Sequence, residues 1–207
     1  GDLDLFVGGR HVPGNYSVIP NSFILQNNST KDNLTFANDY ALDLINAEEA
    51  WSHTTGTATT VIGVSDGSFF QNHEELQGKY VSILNSQTAS TYYYQHGTAV
   101  AVTAAGGTNN AQGKSSIGYN CSMALNTIGY NQLLQLSYDG ARVINASWSS
   151  GCTYSQYCQD VVDEIYNNGT ILVASAGNGG TCGGSTALVY PAALDHVIAV
   201  SSIGPSD

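Results

Sequence analysis

The sequence has 207 residues, 42% of them hydrophobic, which is enough for one domain with a substantial core. Its formal net charge is −11 with only five Lys plus Arg, which argues against nucleic acid or an anionic membrane surface as a partner. No apolar run reaches the length of a membrane span, and none of the four cysteines forms the C-x-x-C pair of a zinc knuckle.

Residues 1–40 read as an irregular lead segment, with a short strand over Asp2–Val7 and turns at Pro13-Gly14-Asn15 and Pro20-Asn21-Ser22. Residues 41–53 contain a short helix with Ala47, Ala50 and Trp51 on one side. The run Thr60-Val61-Ile62-Gly63-Val64-Ser65 is apolar nearly throughout, as a strand covered on both faces should be. It ends at Asp66-Gly67-Ser68, and a carboxylate at the C-terminal end of a central parallel strand stands where open α/β sheets build their sites. Tyr80–Leu84 is a further strand. His73 and Glu75 between them are a weak metal-ligand pair.

His96-Gly97-Thr98-Ala99-Val100-Ala101 opens a run of small residues that favours a closely packed helix, with His96 at its N-terminal mouth and Gly106-Gly107 as its stop. A Gly/Asn-rich loop runs from Thr108 to Gly118, and Cys121–Leu125 is a strand. Residues 131–141 read as a helix burying Leu133, Leu134 and Leu136, and Val143–Trp148 as a strand opening into Ser149-Ser150-Gly151. The helix at about 156–168 carries Val161, Val162, Ile165 and Tyr166; strands follow at Thr170–Ser175 and Val197–Ser202. This alternation of helices with doubly apolar strands predicts an α/β fold in three layers, a mostly parallel sheet with helices on both faces.

Four stretches, in order, resemble the subtilisin-like serine proteases, the subtilases: VIGVSDGSFFQNHEEL, HGTAVAVTAAGG, VINASWS, and ILVASAGNGG followed by VYPAALDHVIAVSSI. The match covers roughly residues 41–204, leaving 1–40 outside it, and the interval from Asp66 to His96 is similar to the family's. The resemblance implies Asp66 as the catalytic carboxylate, His96 as the general base and then acid, and Asn178 as an oxyanion donor. It implies that Ser147-Trp148-Ser149 and Ser175-Ala176-Gly177 flank the primary specificity pocket and pair with substrate backbone. The chemistry suits these residue types. A serine hydroxyl needs a neighbouring base, histidine is poised near neutral pH, a buried carboxylate fixes its tautomer, and a developing oxyanion needs fixed donors.

The sequence departs from the family in three places. Gly67-Ser68 reverses the usual residue types after the aspartate, and the segment from Leu125 to Asn145 is short. The family's nucleophile lies in a Gly-Thr-Ser-x-Ala motif well after the oxyanion asparagine. No such motif occurs here, since Gly97-Thr98-Ala99 does not match it. The expectation is therefore a fold incomplete at the C-terminus, inactive by itself, whose serine lies beyond residue 207 or on another chain.

Further expectations follow from the resemblance. Cys152 and Cys182 trail the two cleft strands and are expected to pair, with Cys152–Cys158 as the alternative; Cys121 is expected as a buried thiol unless Cys158 reaches it. No cofactor is required, and a structural calcium would draw on Glu75 and Asn109. The partner is a protein or peptide substrate. The chain begins at Gly1 without a signal peptide, as a processed secreted form would, and the Ser, Thr, Asn, Gly and Tyr content has extracellular character. The reading from another class is a non-catalytic subtilase-like module. A nucleotide-binding α/β domain is disfavoured, because no Gly-rich phosphate loop follows the first strand.

Overall fold

The structure, a computed structural model, describes residues 40–84, 91–110, 112–178, 181–183 and 187–202. The lead segment 1–39, including the strand expected at Asp2–Val7, lies outside the described residues.

The first described elements are two short helices, α1 (Tyr40–Leu44) and α2 (Ala47–His53), the second being the short helix expected within 41–53. Asn46 separates them by adopting a left-handed conformation, φ 52°, which asparagine tolerates better than most residues. Trp51 then anchors α2 by donating its indole N–H to the Ile117 carbonyl at 3.1 Å.

Among the described residues, six strands form a single sheet: β1 (Val61–Asp66), β2 (Tyr80–Ile83), β3 (Ser122–Thr127), β4 (Ala141–Ala146), β5 (Ile171–Ser175) and β6 (Val197–Val200). Their order is β2-β3-β1-β4-β5-β6 and every pairing is parallel. All six C-terminal ends therefore lie on one edge, with β1 at the centre.

Alternation along each strand divides the core in two. Val64, Met123 and Leu125 point to the face covered by α3 (Thr91–Ala105), where they meet Val100, Ala101, Ala104 and Ala105. Ile144, Ala146, Leu172 and Ala174 point the other way, to α4 (Tyr130–Tyr138) and α5 (Gln156–Asn167). On α5, Val161, Val162 and Ile165 share the inward face at helical spacing while Asp160, Asp163 and Glu164 stay outside. Full burial of such a side chain contributes about 1.5–3 kcal/mol, so Leu133, Leu136, Ile144, Val162, Ile165 and Leu172 are the main fasteners of this layer. The three-layer parallel α/β architecture expected from the sequence is the one observed.

α3 differs from expectation at its start. It begins at Thr91, so His96 sits in its second turn and not at its mouth. Gly97 is interior to the helix and supplies close packing, not an end signal.

Candidate active site

Asp66 is the last residue of β1 and its side chain alternates with Ser65, so the carboxylate faces α3 while the serine hydroxyl faces α4. Among the described contacts of Asp66, the backbone N–H of Gly67 donates to Oδ1 at 2.7 Å. The His96 Nδ1 lies 2.8 Å from Oδ1 and 3.0 Å from Oδ2, a nearly symmetric approach to both oxygens. The Asp66 side chain is 3% exposed and that of His96 29%, so the pair is a buried carboxylate with a partly open imidazole. An ionised carboxylate only accepts hydrogen bonds, so Nδ1 carries the proton and the neutral ring leaves Nε2 as an acceptor.

Helix α3 reaches the strand end because residue 97 has no side chain. A Cβ on Gly97 would stand 3.2 Å from the Asp66 Cβ and well under 3.0 Å from the Ser68 carbonyl oxygen. One residue further on, the Thr98 hydroxyl accepts the Phe70 backbone N–H at 2.8 Å, tying the loop after Asp66 to the helix. Neither role of Gly97 and Thr98 is legible as chemistry in the sequence, although the small size of residue 97 is the signal for it.

The other expected residues lie on the same sheet edge. Ser147, Trp148 and Ser149 follow β4, and Ser175, Ala176, Gly177 and Asn178 end or follow β5, the next strand. Ser149 and Ala176 are exposed; Ser175, Gly177 and Asn178 are partly so. Gly177 has φ 89°, a left-handed turn that directs the chain into Asn178. The segment after β5 returns to β4's exit, where Tyr190 bridges Gly151 and its carbonyl accepts the Ser150 N–H at 2.8 Å.

Two of the expected wall residues turn their side chains inward. The Ser147 hydroxyl accepts from Asn145 Nδ2 at 2.8 Å. Trp148 is 8% exposed, packs edge-to-face on Tyr130 at 5.8 Å between ring centroids, and donates Nε1–H to Ser65 Oγ at 3.0 Å. Burial pushes the Tyr130 phenol up to about 12, so it stays a neutral donor or acceptor beside Ser150. Two of the three side chains of the groove wall expected at 147–149 are therefore committed to the interior.

Cys152 and Cys182 form a disulfide with Cα atoms 5.4 Å apart, joining the segments after β4 and β5. Cys121 is a buried free thiol and Cys158 a half-buried one.

Residues 57–207 match the subtilase family of peptidases. The chain belongs to the subtilase family. It is similar to the halolysin-like extracellular serine protease Nep of Natrialba magadii, 36% identical over 211 aligned residues, 86% of this chain and 37% of that protein. Subtilisin DY of Bacillus licheniformis is 30% identical over 178 residues, 79% of this chain and 64% of that protein. The chain thus spans less than two thirds of either subtilase. Among solved structures, the prenylagaramide maturation protease PagA shares the fold with a TM-score of 0.63 at 21% identity, over 77% of this chain and 60% of that one.

Of the residues expected near a subtilase calcium, Glu75 is buried and Asn109 is exposed with φ 59°. It is Asn110, the next residue, whose Nδ2 reaches Glu75 Oε1 at 3.3 Å. A Cβ on Gly113 would fall 2.6 Å from the same oxygen, so the loop closes tightly around the carboxylate. A carboxylate beside a carboxamide, which rotation turns oxygen-first, is a donor pair of the hard type calcium takes. No cluster of three or more His, Cys, Asp or Glu able to hold a metal occurs among the described residues. His73 is not oriented as a ligand: its Nδ1 accepts the Glu75 N–H at 3.2 Å, and burial lowers its pKa against the opposing pull of Glu74.

Proposed function

We propose that the chain is the aspartate- and histidine-bearing part of a secreted serine endopeptidase. The observation that carries this reading is the His96 Nδ1 contact with both Asp66 oxygens, on a partly open imidazole over a buried carboxylate. With Nδ1–H committed to Asp66, Nε2 accepts a proton from a serine hydroxyl as the oxygen attacks a peptide carbonyl. The imidazolium so formed is stabilised by Asp66, and it returns the proton to the departing amine. Asn178 donates to the tetrahedral oxyanion from the loop after β5. Substrate backbone lies between the backbones of 147–149 and 175–177. The serine comes from a segment or chain other than these 207 residues, so this portion alone is inactive.

No cofactor takes part in this reaction. A structural calcium would be held by Glu75 and Asn110, with backbone carbonyls and water completing its shell, and would tie the 106–114 loop to the turn before β2. Secretion is supported by the extracellular character stated for Nep and by the disulfide.

The test is Asp66→Asn in the full-length protein. A carboxamide of the same shape favours the wrong imidazole tautomer, so kcat is expected to fall by about 10⁴ with little change in KM. Near-normal peptidase activity in a well-folded variant would end the assignment.

A further inference from the structure

We infer that Trp148, through its hydrogen bond to Ser65, is a positioning residue for the Asp66–His96 pair. This rests on the peptidase reading above. The β1–β4 ladder ends at the pair Ser65–Ala146, so Asp66 has a ladder neighbour only on the β3 side, at Thr127. Parallel strands splay beyond their last ladder bonds, which is what opens a crevice at this edge. Asp66 thus lies one residue past the end of the β1–β4 register, at the last pair of the β1–β3 register.

Trp148 adds a side-chain tie between β4's extension and β1 next to Asp66. It lies two residues past the end of β4, yet its indole N–H reaches back to Ser65 Oγ at 3.0 Å. That hydroxyl in turn donates to the Thr127 carbonyl at 2.9 Å, so one serine clamps β4's extension, β1 and β3 together. Ser65 is fully buried, and each of its hydrogen bonds has a defined donor and acceptor. The indole itself is held by Tyr130, whose hydroxyl lies 3.0 Å from Ser150 Oγ. The clamp sits on the sheet face opposite His96. It acts on Asp66 only through the backbone, and its side chains lie away from the imidazole. The groove wall 147–149 and the catalytic carboxylate then share one rigid junction, so a displacement of the wall is felt at Asp66.

Three variants of the full-length protein test this. Trp148→Phe keeps the ring against Tyr130 and removes the N–H; Ser65→Ala removes the acceptor; Ser65→Thr keeps a hydroxyl. In the first two, kcat should fall by roughly ten- to a hundredfold with KM little changed, the scale of a small misplacement of a catalytic group. The low-field NMR signal of the His96 Nδ1 proton bonded to Asp66 should shift or be lost to exchange, and Ser65→Thr should retain both signal and rate. An unaltered proton signal and kcat in both Trp148→Phe and Ser65→Ala, with only the melting temperature lowered, would make Trp148 a packing residue and overturn the inference. A wild-type protein without peptidase activity would count against the peptidase reading, and the proton signal would still decide the positioning role.

Discussion

Gly97 offers a sharp test of how α3 and β1 meet, because two effects of opposite sign compete there. In an open helix interior, Gly→Ala stabilises by about 1 kcal/mol through propensity alone. Here the added Cβ would stand well under 3.0 Å from the Ser68 carbonyl oxygen and 3.2 Å from the Asp66 Cβ. Both neighbours are fixed by the chain, so relief requires the helix and the strand end to part by about 1 Å before an ordinary contact distance is reached. Overpacking of this kind costs about 3 kcal/mol at the upper end of its usual range. The net is a loss of about 2 kcal/mol, or roughly 4–8 °C in melting temperature for a domain of this size. The same movement lengthens the 2.8 Å bond between His96 Nδ1 and Asp66 Oδ1 past hydrogen-bonding distance, which should lower kcat by about 10². Calorimetry and peptidase kinetics on full-length Gly97→Ala measure both. A variant as stable as the parent or more so, with unaltered kcat, would show that propensity wins and that α3 does not press on Asp66.

Three further outcomes are expected. A non-reducing digest should yield Cys152 and Cys182 as one linked peptide pair, and Cys152→Ser should cost about 3–4 kcal/mol for a loop of this length; both thiols free in native material would refute the pairing. Because burial lowers the His73 pKa below its ordinary 6.5, the unfolded chain binds the proton first, so this residue's share of stability is lost as pH falls through 6.5 towards the folded value. His73→Asn should flatten the parent's loss of stability in that window, and parallel pH curves for the two proteins would exclude the effect. Residues 1–207 expressed alone should self-associate or bind a hydrophobic dye, because Ile171 and Ile198, on the α3-side face of adjacent strands, are 49% and 52% exposed; a dye-silent monomer with a cooperative melt would refute this.

The sheet was legible because its strands are apolar at consecutive positions, as in Val61–Val64 and Ile171–Ala174, a pattern that a half-solvated sheet does not produce. The aspartate–histidine pair was legible only through the family resemblance of four stretches in order, since neither Asp66 at a strand end nor His96 in a helix is distinctive alone. The start of α3 was not, since Thr91–Gln95 is rich in β-branched and aromatic residues of modest helix propensity, and propensity yields to tertiary packing. In the loop after α3 the sequence does not say which of two adjacent asparagines bonds Glu75: Asn110 does, while Asn109 takes a left-handed conformation. The direction of Trp148 was masked by the family resemblance, which assigned the residue to the groove wall. The period-2 alternation of Ile144, Ala146 and Trp148 points instead to the face buried against α4. Ser65 carried a matching signal. A serine amid an apolar strand must find partners when buried, and its parity sends it to that same face. Ser65, next to Asp66 in β1, makes its side-chain hydrogen bonds to Trp148 and Thr127 on the far side of the sheet, where they do not compete with the contact between Asp66 and His96.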